Sequence, residues 1–278
     1  MILIAGGQLD VNIRVLAQRL EQREIPFHKL LVGPENPPDL RIDIKKNSFE
    51  LNGVAISPTG CFIRHDVFLY KTDNLALAHS RALNWYQAVR GWVTGKQDIK
   101  LFNRYFYLRE NNKIHNLILA QDFGLPIPDT VVINDFTGID EGMVQKPVAG
   151  GEYTGLVGDL PEDPGAYPRF IQPRLNRPEM RIYRIGPRML AFWLHSAALD
   201  YRCTKDIEIE FTDVPQDIGE KLMSLCDRLE LDYAAADFMA DDEGQLHFLE
   251  VNSQPMFAAF DRAAKGQLCD AIIDYLSD

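Results

Sequence analysis

His247-Phe248-Leu249-Glu250-Val251-Asn252 is the stretch on which the reading of this chain turns, with Asp237 ten residues before its histidine. It reads as the second of two neighbouring strands, Ala234–Met239 and Gln245–Val251, joined by the turn Asp241-Asp242-Glu243-Gly244. In a strand, residues i and i+2 face the same way. Glu250 and Asn252 therefore project together, and Asp237 can join them from the adjacent strand. Two carboxylates and an amide form a hard-oxygen set suited to Mg²⁺, which keeps waters and favours substrate phosphates. Acidic residues beside a hairpin are usually only solvated, so the metal reading depends on what the rest of the chain supplies.

The 278 residues, 46% of them hydrophobic, are ample for a large core. They predict one compact multi-lobed enzyme or two to three small lobes. Lys and Arg total 29 against 40 Asp and Glu, a formal charge of −11. A general binder of nucleic-acid backbone has the opposite balance, so no nucleic-acid partner is expected. Arg169, Arg174, Arg177, Arg181, Arg184 and Arg188 fall within one stretch. They read either as a solvated basic strand face or as an anion-facing surface in an acidic protein. Cys61, Cys203, Cys226 and Cys269 are scattered, which disfavours a zinc site or a disulfide framework. Met1–Ala5 reads as a first strand rather than a signal peptide. No apolar run approaches the ~18 residues of a membrane span. A cytoplasmic protein with no membrane partner is expected.

Strands and helices alternate along the chain, which indicates α/β or α+β lobes. Ile2–Ala5, a helix over Val11–Arg23 and a strand at Phe27–Val32 give a β–α–β opening. Short strands follow at Asp39–Ile44, Ser48–Leu51 and Cys61–Arg64. A long helix, Leu75–Val93, carries Trp85, Tyr86 and Trp92 as core aromatics. Asn112–Phe123 is a second clear helix, capped by Gly124. Pro126 and Pro128 impose an extended exit into Thr130–Ile133. Gly142–Pro147 and Ala166–Pro173 bracket a small sheet. Arg181–Ile185 and Met189–His195 form a hairpin turning at Gly186-Pro187. Val214–Leu229 and Lys265–Leu276 are the last helices. The domains expected are 1–105, an N-terminal α/β domain; 106–173, a small lobe; and 174–278, a C-terminal lobe with the metal site.

Lys146 ends the short strand Met143–Lys146 and precedes the loop Ala149-Gly150-Gly151-Glu152-Tyr153-Thr154-Gly155. A strand-borne lysine is a fixed cation for phosphate oxygens, and glycines such as Gly150 and Gly151 let backbone N–H groups approach them. Phe170-Ile171-Gln172-Pro173-Arg174-Leu175 can offer backbone groups to an adenine edge. Glu179 could accept hydrogen bonds from ribose hydroxyls.

In order, Lys113, the proline-rich exit, Lys146, the glycine loop, Gln172–Leu175, Glu179, Asp237 and Glu250-x-Asn252 resemble the ATP-grasp superfamily from about Asn103 onward. The resemblance implies an α/β ATP-grasp fold behind an N-terminal α/β pre-ATP-grasp domain, with ATP held between two lobes. Lys113 and Lys146 would contact phosphates, Gln172 and Leu175 would border adenine, and Leu249 would lie beneath it. Asp237, Glu250 and Asn252 would hold magnesium. Within the superfamily the chain looks most like the ribosomal-protein glutamate ligases (RimK-like) and the microviridin-type, or graspetide, peptide ligases. Glu179-Met180-Arg181 is similar to their acid-x-Arg strand, which makes Arg181 a candidate catalytic residue. Leu194-His195-Ser196 and Asp200-Tyr201-Arg202 resemble their His-Ser and Asp-x-Arg elements. By that resemblance Arg202, steadied by Asp200, faces the carboxylate to be activated, and His195 borders the substrate. Asn252-Ser253-Gln254-Pro255 replaces the Asn-Pro-Asn-Gly common in these peptide ligases, and the segment from His195 to Asp200 is short. Those departures bear on macrocyclisation and leader-peptide binding and leave the ATP site untouched.

The expected reaction is carboxylate activation by ATP through an acylphosphate, followed by attack of an amine or hydroxyl on a peptide or amino-acid substrate. ATP and Mg²⁺, as two ions or replaced by Mn²⁺, are the cofactors implied. A homodimer is compatible with this reading. A small-molecule ligase of the D-alanine–D-alanine type and a non-catalytic nucleotide-binding regulatory module stand as alternatives.

Overall fold

The computed structural model of the chain describes residues 1–33, 37–64, 74–106, 111–149, 154–161, 165, 167–196 and 206–278. They form two compact units, one of Met1–Arg104 with Met256–Asp278, the other of Tyr105–Pro255.

In the first unit β1 (Ile2–Gly7), α1 (Val11–Gln22) and β2 (Phe27–Val32) make the β–α–β opening. β1 is buried along its whole length, as a parallel strand covered on both faces must be. The Asp10 carboxylate caps α1 by accepting the Asn12 amide at 2.8 Å. There follow β3 (Leu40–Asp43), β4 (Ser48–Leu51), β5 (Val54–Ala55), β6 (Gly60–Ile63), α2 (Leu75–Thr94) and β7 (Lys100–Leu101). Strands β2-β1-β6-β7 form a parallel sheet, and β3-β4-β5 a separate antiparallel one. On α2, Tyr86 is buried and Trp92 packs on Phe49 with ring centroids 4.7 Å apart, whereas Trp85 is half-buried.

The second unit opens with α3 (Lys113–Asp122). The Asn112 side chain caps it by accepting the amides of Ile114 and His115, and Gly124, at φ +75°, ends it. Strands β8 (Val131–Ile133), β9 (Val144–Pro147), β10 (Gly155–Leu156) and β11 (Arg169–Gln172) pair as a small antiparallel sheet in the order β10-β9-β11-β8. Next come β12 (Asn176–Ile185), β13 (Arg188–His195), β14 (Glu208–Thr212), α4 (Gln216–Arg228), β15 (Tyr233–Ala240) and β16 (Leu246–Asn252). Their antiparallel sheet runs β14-β13-β12-β15-β16. The β12–β13 hairpin turns at Gly186-Pro187 as expected, with Gly186 at φ +56°. Strand β14 has no counterpart in the sequence reading, because an acidic edge strand with little buried surface leaves a weak periodic signal. Met180, Ile182, Ala236, Phe238, Phe248 and Val251 share one core with Leu117 of α3 and Leu225 of α4. The opposite face carries Glu179 and Arg181 beside the buried apolar side chains of Tyr183, Leu190, Phe192 and Leu194.

The sequence groups 174–278 into one C-terminal lobe, but Met256–Asp278 belongs to the first unit. This segment carries α5 (Ala258–Ala263) and α6 (Gln267–Ser277). Leu268, Ile272 and Ile273 give α6 an apolar face that is fully buried. Arg19 of α1 and Arg23, which caps that helix, hold the outer side of α6 through Asp270 and Asp274. The fit is close enough that a Cβ on Gly60 would meet the Leu276 carbonyl at 2.2 Å. Long-range packing of this kind leaves no mark in local periodicity.

Candidate active site

Strands β15 and β16 pair with Asp237 opposite Glu250 and Ala235 opposite Asn252, yet Phe238 stands opposite Phe248. Leu249 is thus an extra residue on β16, a bulge. On a regular strand Phe248 and Glu250 would share a face. The bulge separates them. Phe248 enters the core, while Glu250 and Asn252 stay beside Asp237. The Phe248 N–H donates to the Pro126 carbonyl at 2.7 Å, which ties the bulge to the proline-rich exit of α3. On β12, Arg181 stands opposite Asp237, and Glu179 shares its face two residues earlier. Arg181, Asp237 and Glu250 therefore form a row across three neighbouring strands.

Two ion pairs organise this row. Arg181 donates from Nε and a terminal nitrogen to the two Asp237 oxygens at 2.6 and 2.8 Å, and both side chains are under a tenth exposed. Arg181 also lies 3.9 Å from Glu179, which Arg177 approaches at 3.4 Å. Lys113, the first residue of α3, reaches Glu250 at 2.9 Å, and both side chains are 30% exposed. The Asn252 amide donates to Glu250 at 3.1 Å. Asn111 donates to the Val251 carbonyl at 3.1 Å and accepts from Asn116, which fixes the start of α3 against β16. Removing one partner of a buried pair such as Arg181–Asp237 costs about 3–5 kcal/mol, whereas a half-exposed pair such as Lys113–Glu250 contributes about 0–1 kcal/mol.

The carboxylates disturb one another. Burial first, and then the neighbouring Asp237 charge, push the Glu179 carboxyl up to about 7. Burial likewise raises Asp237, against the pull of Arg181 and with a further push from Glu250. Burial acts upward on Glu250 too, but Lys113, Asn252 and Lys146 outweigh it and hold that group below the usual range. Lys146 faces this cluster from β9. Desolvation lowers its ammonium below the ordinary lysine range although Glu250, Glu179 and Asp237 act to raise it. It makes no hydrogen bond or ion pair with the described residues.

The structure thus brings together Lys113, Lys146, Glu179, Arg181, Asp237, Glu250 and Asn252. Lys146 lies within β9 rather than at its end, opposite Phe170. Gln172 is buried and its side chain donates to Thr130 at 2.9 Å. Leu175 and the bulged Leu249 are half-buried. Gly150, Gly151, Asp200 and Arg202 lie outside the described residues. His195 ends β13, where its Nε2 is 3.4 Å from Glu210. With Arg177, Ser196 and Glu208 it lines a cavity of ≈ 650 Å³. His247, by contrast, staples the turn through Asp241 at 2.7 Å. The arginine stretch is not one anion-facing surface: Arg169 bonds Gln145, Arg184 bonds Asp227 and the Met223 carbonyl, and Arg177 and Arg181 bond acids of the site. Sequence reasoning missed both ion pairs and the place of Glu179 among the carboxylates. The only signal was the acid-x-Arg alternation, which puts opposite charges on one face.

Among solved structures, the ATP-grasp ligase PsnB complexed with a phosphomimetic variant of a minimal precursor, Mg and ADP superimposes with a TM-score of 0.78 at 22% identity, covering 99% of this chain and 98% of its own. The chain has the ATP-grasp fold. The macrocyclase MdnC of Microcystis aeruginosa, bound with precursor peptide MdnA, matches at TM-score 0.75 and 17% identity over 100% of this chain and 99% of that one. A RimK-domain ATP-grasp protein of Sphaerobacter thermophilus matches at 0.59 and 13%, over 99% and 98%. No protein-family model and no curated protein matches the sequence. The ATP-grasp resemblance read from the order of lysines, glycines and acids is therefore borne out at the level of fold.

Proposed function

We propose that this chain is an ATP-dependent ligase that joins a carboxylate of a peptide to an amine or hydroxyl through an acylphosphate. The observation that carries this reading is the convergence of Lys113, Lys146, Arg181, Asp237, Glu250 and Asn252 on one sheet face of an ATP-grasp fold. The charges suit a polyphosphate. Lys113, Lys146, Arg177 and Arg181 stand around the three carboxylates, and Lys146 has no partner among the described residues. Among those residues no three His, Cys, Asp or Glu side chains are placed to hold a metal by themselves. Asp237 and Glu250 with the Asn252 amide would instead hold Mg²⁺, leaving its other positions to water and phosphate oxygens, as this ion prefers. The ion would neutralise charge on the phosphates during transfer.

A substrate carboxylate oxygen attacks the γ-phosphorus of ATP, and the bond to ADP breaks. The amine or hydroxyl then attacks the acyl carbon, and phosphate leaves with the bond pair while the nucleophile's proton passes to solvent. Lys113 and Lys146 hold phosphate oxygens, and Arg181 keeps Asp237 in place. Gln172 by its backbone, Leu175 and Leu249 border the base, Glu179 the ribose, and Gly150 and Gly151 cover the phosphates. Catalysis on this scheme is positioning and charge neutralisation, without a side-chain nucleophile. The cavity beside His195 is the place for the acceptor, and Asp200 and Arg202 are the proposed clamp on the activated carboxylate. Precursor peptides in the PsnB and MdnC structures support a peptide substrate. A cytoplasmic supply of ATP goes with this reading. Among the described residues no helix is long and apolar enough to cross a membrane.

The test is ADP release, with product masses, from synthetic acidic peptides, with free amino acids in a parallel arm. Peptide-dependent ADP release and loss of one water from the peptide are expected. Coupling of free amino acids alone would move the chain to the small-molecule ligases. Tight ATP binding without turnover on any substrate would make it a regulatory module.

A further inference from the structure

We infer that this site takes up the divalent ion and the nucleotide phosphates together, by exchange of the Lys113–Glu250 ion pair, and that free metal alone is held off. The inference rests on the ligase reading of the site. Each proposed metal carboxylate is matched by a cation of the chain itself. Arg181 grips Asp237 at two points in a buried setting, at 2.6 and 2.8 Å. Lys113 touches Glu250 at one point, 2.9 Å away, with both side chains 30% exposed.

The two pairs differ in what they allow. The Arg181 fork is planar, two-pronged and desolvated, so it stays closed and acts as a positioning residue for Asp237. The Lys113 ammonium is a point charge on a flexible stem and can turn away cheaply. Among the described residues it pairs only with Glu250, so an arriving anion gives it a second place to go. A metal ion coming alone must approach Glu250 against the Lys113 charge. A nucleotide coming alone must draw Lys113 from Glu250 and leave that carboxylate beside Asp237 without its nearest cation. When both arrive, Glu250 passes to the metal and Lys113 to a phosphate, and every charge keeps a partner. Each ligand therefore strengthens the other by the same factor.

The experiment is Mn²⁺ binding to the full chain, followed by the electron paramagnetic resonance of free Mn²⁺, with and without a non-hydrolysable ATP analogue. Wild type should bind Mn²⁺ weakly alone and at least about tenfold more tightly with the analogue. Lys113→Met should bind Mn²⁺ more tightly than wild type without nucleotide, and should bind the analogue more weakly. That pair of opposite shifts is what a merely structural lysine would not produce. Lys113→Arg, which keeps the charge, should hold Mn²⁺ off as wild type does, and it serves the same comparison against Lys113→Gln if the Met variant does not fold. If Mn²⁺ binds with the analogue but neutralising Lys113 leaves nucleotide-free affinity unchanged or weaker, the exchange is overturned and the ligase reading stands. If Mn²⁺ binds under neither condition, the metal site itself is wrong and the inference falls with it.

Discussion

Both units of the molecule have a buried, hydrogen-bonded arginine–carboxylate pair among the described residues, and the two do different things. In the first, Arg64 bonds Asp10 at 2.7 Å, with side chains 6% and 1% exposed. Asp10 also accepts the backbone and side-chain amides of Asn12. Asn12 in turn accepts the amides of Phe257 and Ala258. The network ties α1 to the returning C-terminal segment. In the second, Arg181 and Asp237 are as deeply buried, but Glu179 and Glu250 crowd the same face, and Lys146 stands by without a partner among the described residues. A buried ion pair is thus weak grounds for a functional site. Surplus charge that the chain does not satisfy is better grounds, because burying it is costly unless a ligand completes it.

Substitutions can break this contrast, and the largest effect belongs to the first unit. Arg64→Met should destabilise the protein by about 3–5 kcal/mol, since Asp10 is left buried with its strongest partner gone. Denaturant unfolding measures this, and ATP affinity in the folded fraction should be unchanged. A loss below about 1 kcal/mol would mean that Asp10 is satisfied by Asn12 alone.

Glu250→Gln is the counterpart in the second unit. It keeps the shape, removes the charge of a proposed metal ligand, and should cut turnover on the order of a hundredfold or more at limiting magnesium. Its melting temperature should barely move, because Glu250 is half-exposed and, among the described residues, pairs only with Lys113 and Asn252. Near-normal ADP formation would sink the assigned metal site.

Lys146→Ala sharpens the idea of surplus charge. ATP affinity should fall about tenfold, the loss of one charge-assisted contact in a desolvated cleft. Stability should hold or rise, since a desolvated ammonium with no partner among the described residues is removed. Unchanged ATP affinity with a large stability loss would mark Lys146 as structural instead.

The smallest effect is at the helix pair of the first unit. Arg19, at 2.5 and 2.8 Å, and burial acting against it, together with Arg23, leave the Asp270 carboxyl below its usual range. A carboxylate depressed in the folded state stabilises above its unfolded pKa, about 3.9, and that contribution is lost as pH falls through the folded value. Asp270→Asn should therefore lower stability by about 1 kcal/mol or less at neutral pH, and the difference from wild type should fade as the solution is acidified. A gap that persists at low pH would mean that Asp270 acts by packing rather than by charge.

Much of this was legible in the sequence because it is local. Turn residues and period-two or period-3.6 apolar spacing located β1, α1, β2, α3, the Gly186-Pro187 hairpin and the strands β15 and β16. The order of lysines, glycine loop and acids carried the fold, and i, i+2 alternation put Glu250 with Asn252 and Glu179 with Arg181. Only the tertiary structure decided the rest. The bulge at Leu249 separates Phe248 from Glu250 by one unpaired residue, and strand periodicity cannot register an insertion that exists only relative to a partner. Met256–Asp278 packs on the first unit because its apolar face fits a sheet laid down some 200 residues earlier in the chain. Lys113 with Glu250 and Arg181 with Asp237 are pairs far apart in sequence, made neighbours by strand register and by the seating of α3. Residue type tells which charges a chain carries; which of them cancel depends on distances that only folding sets.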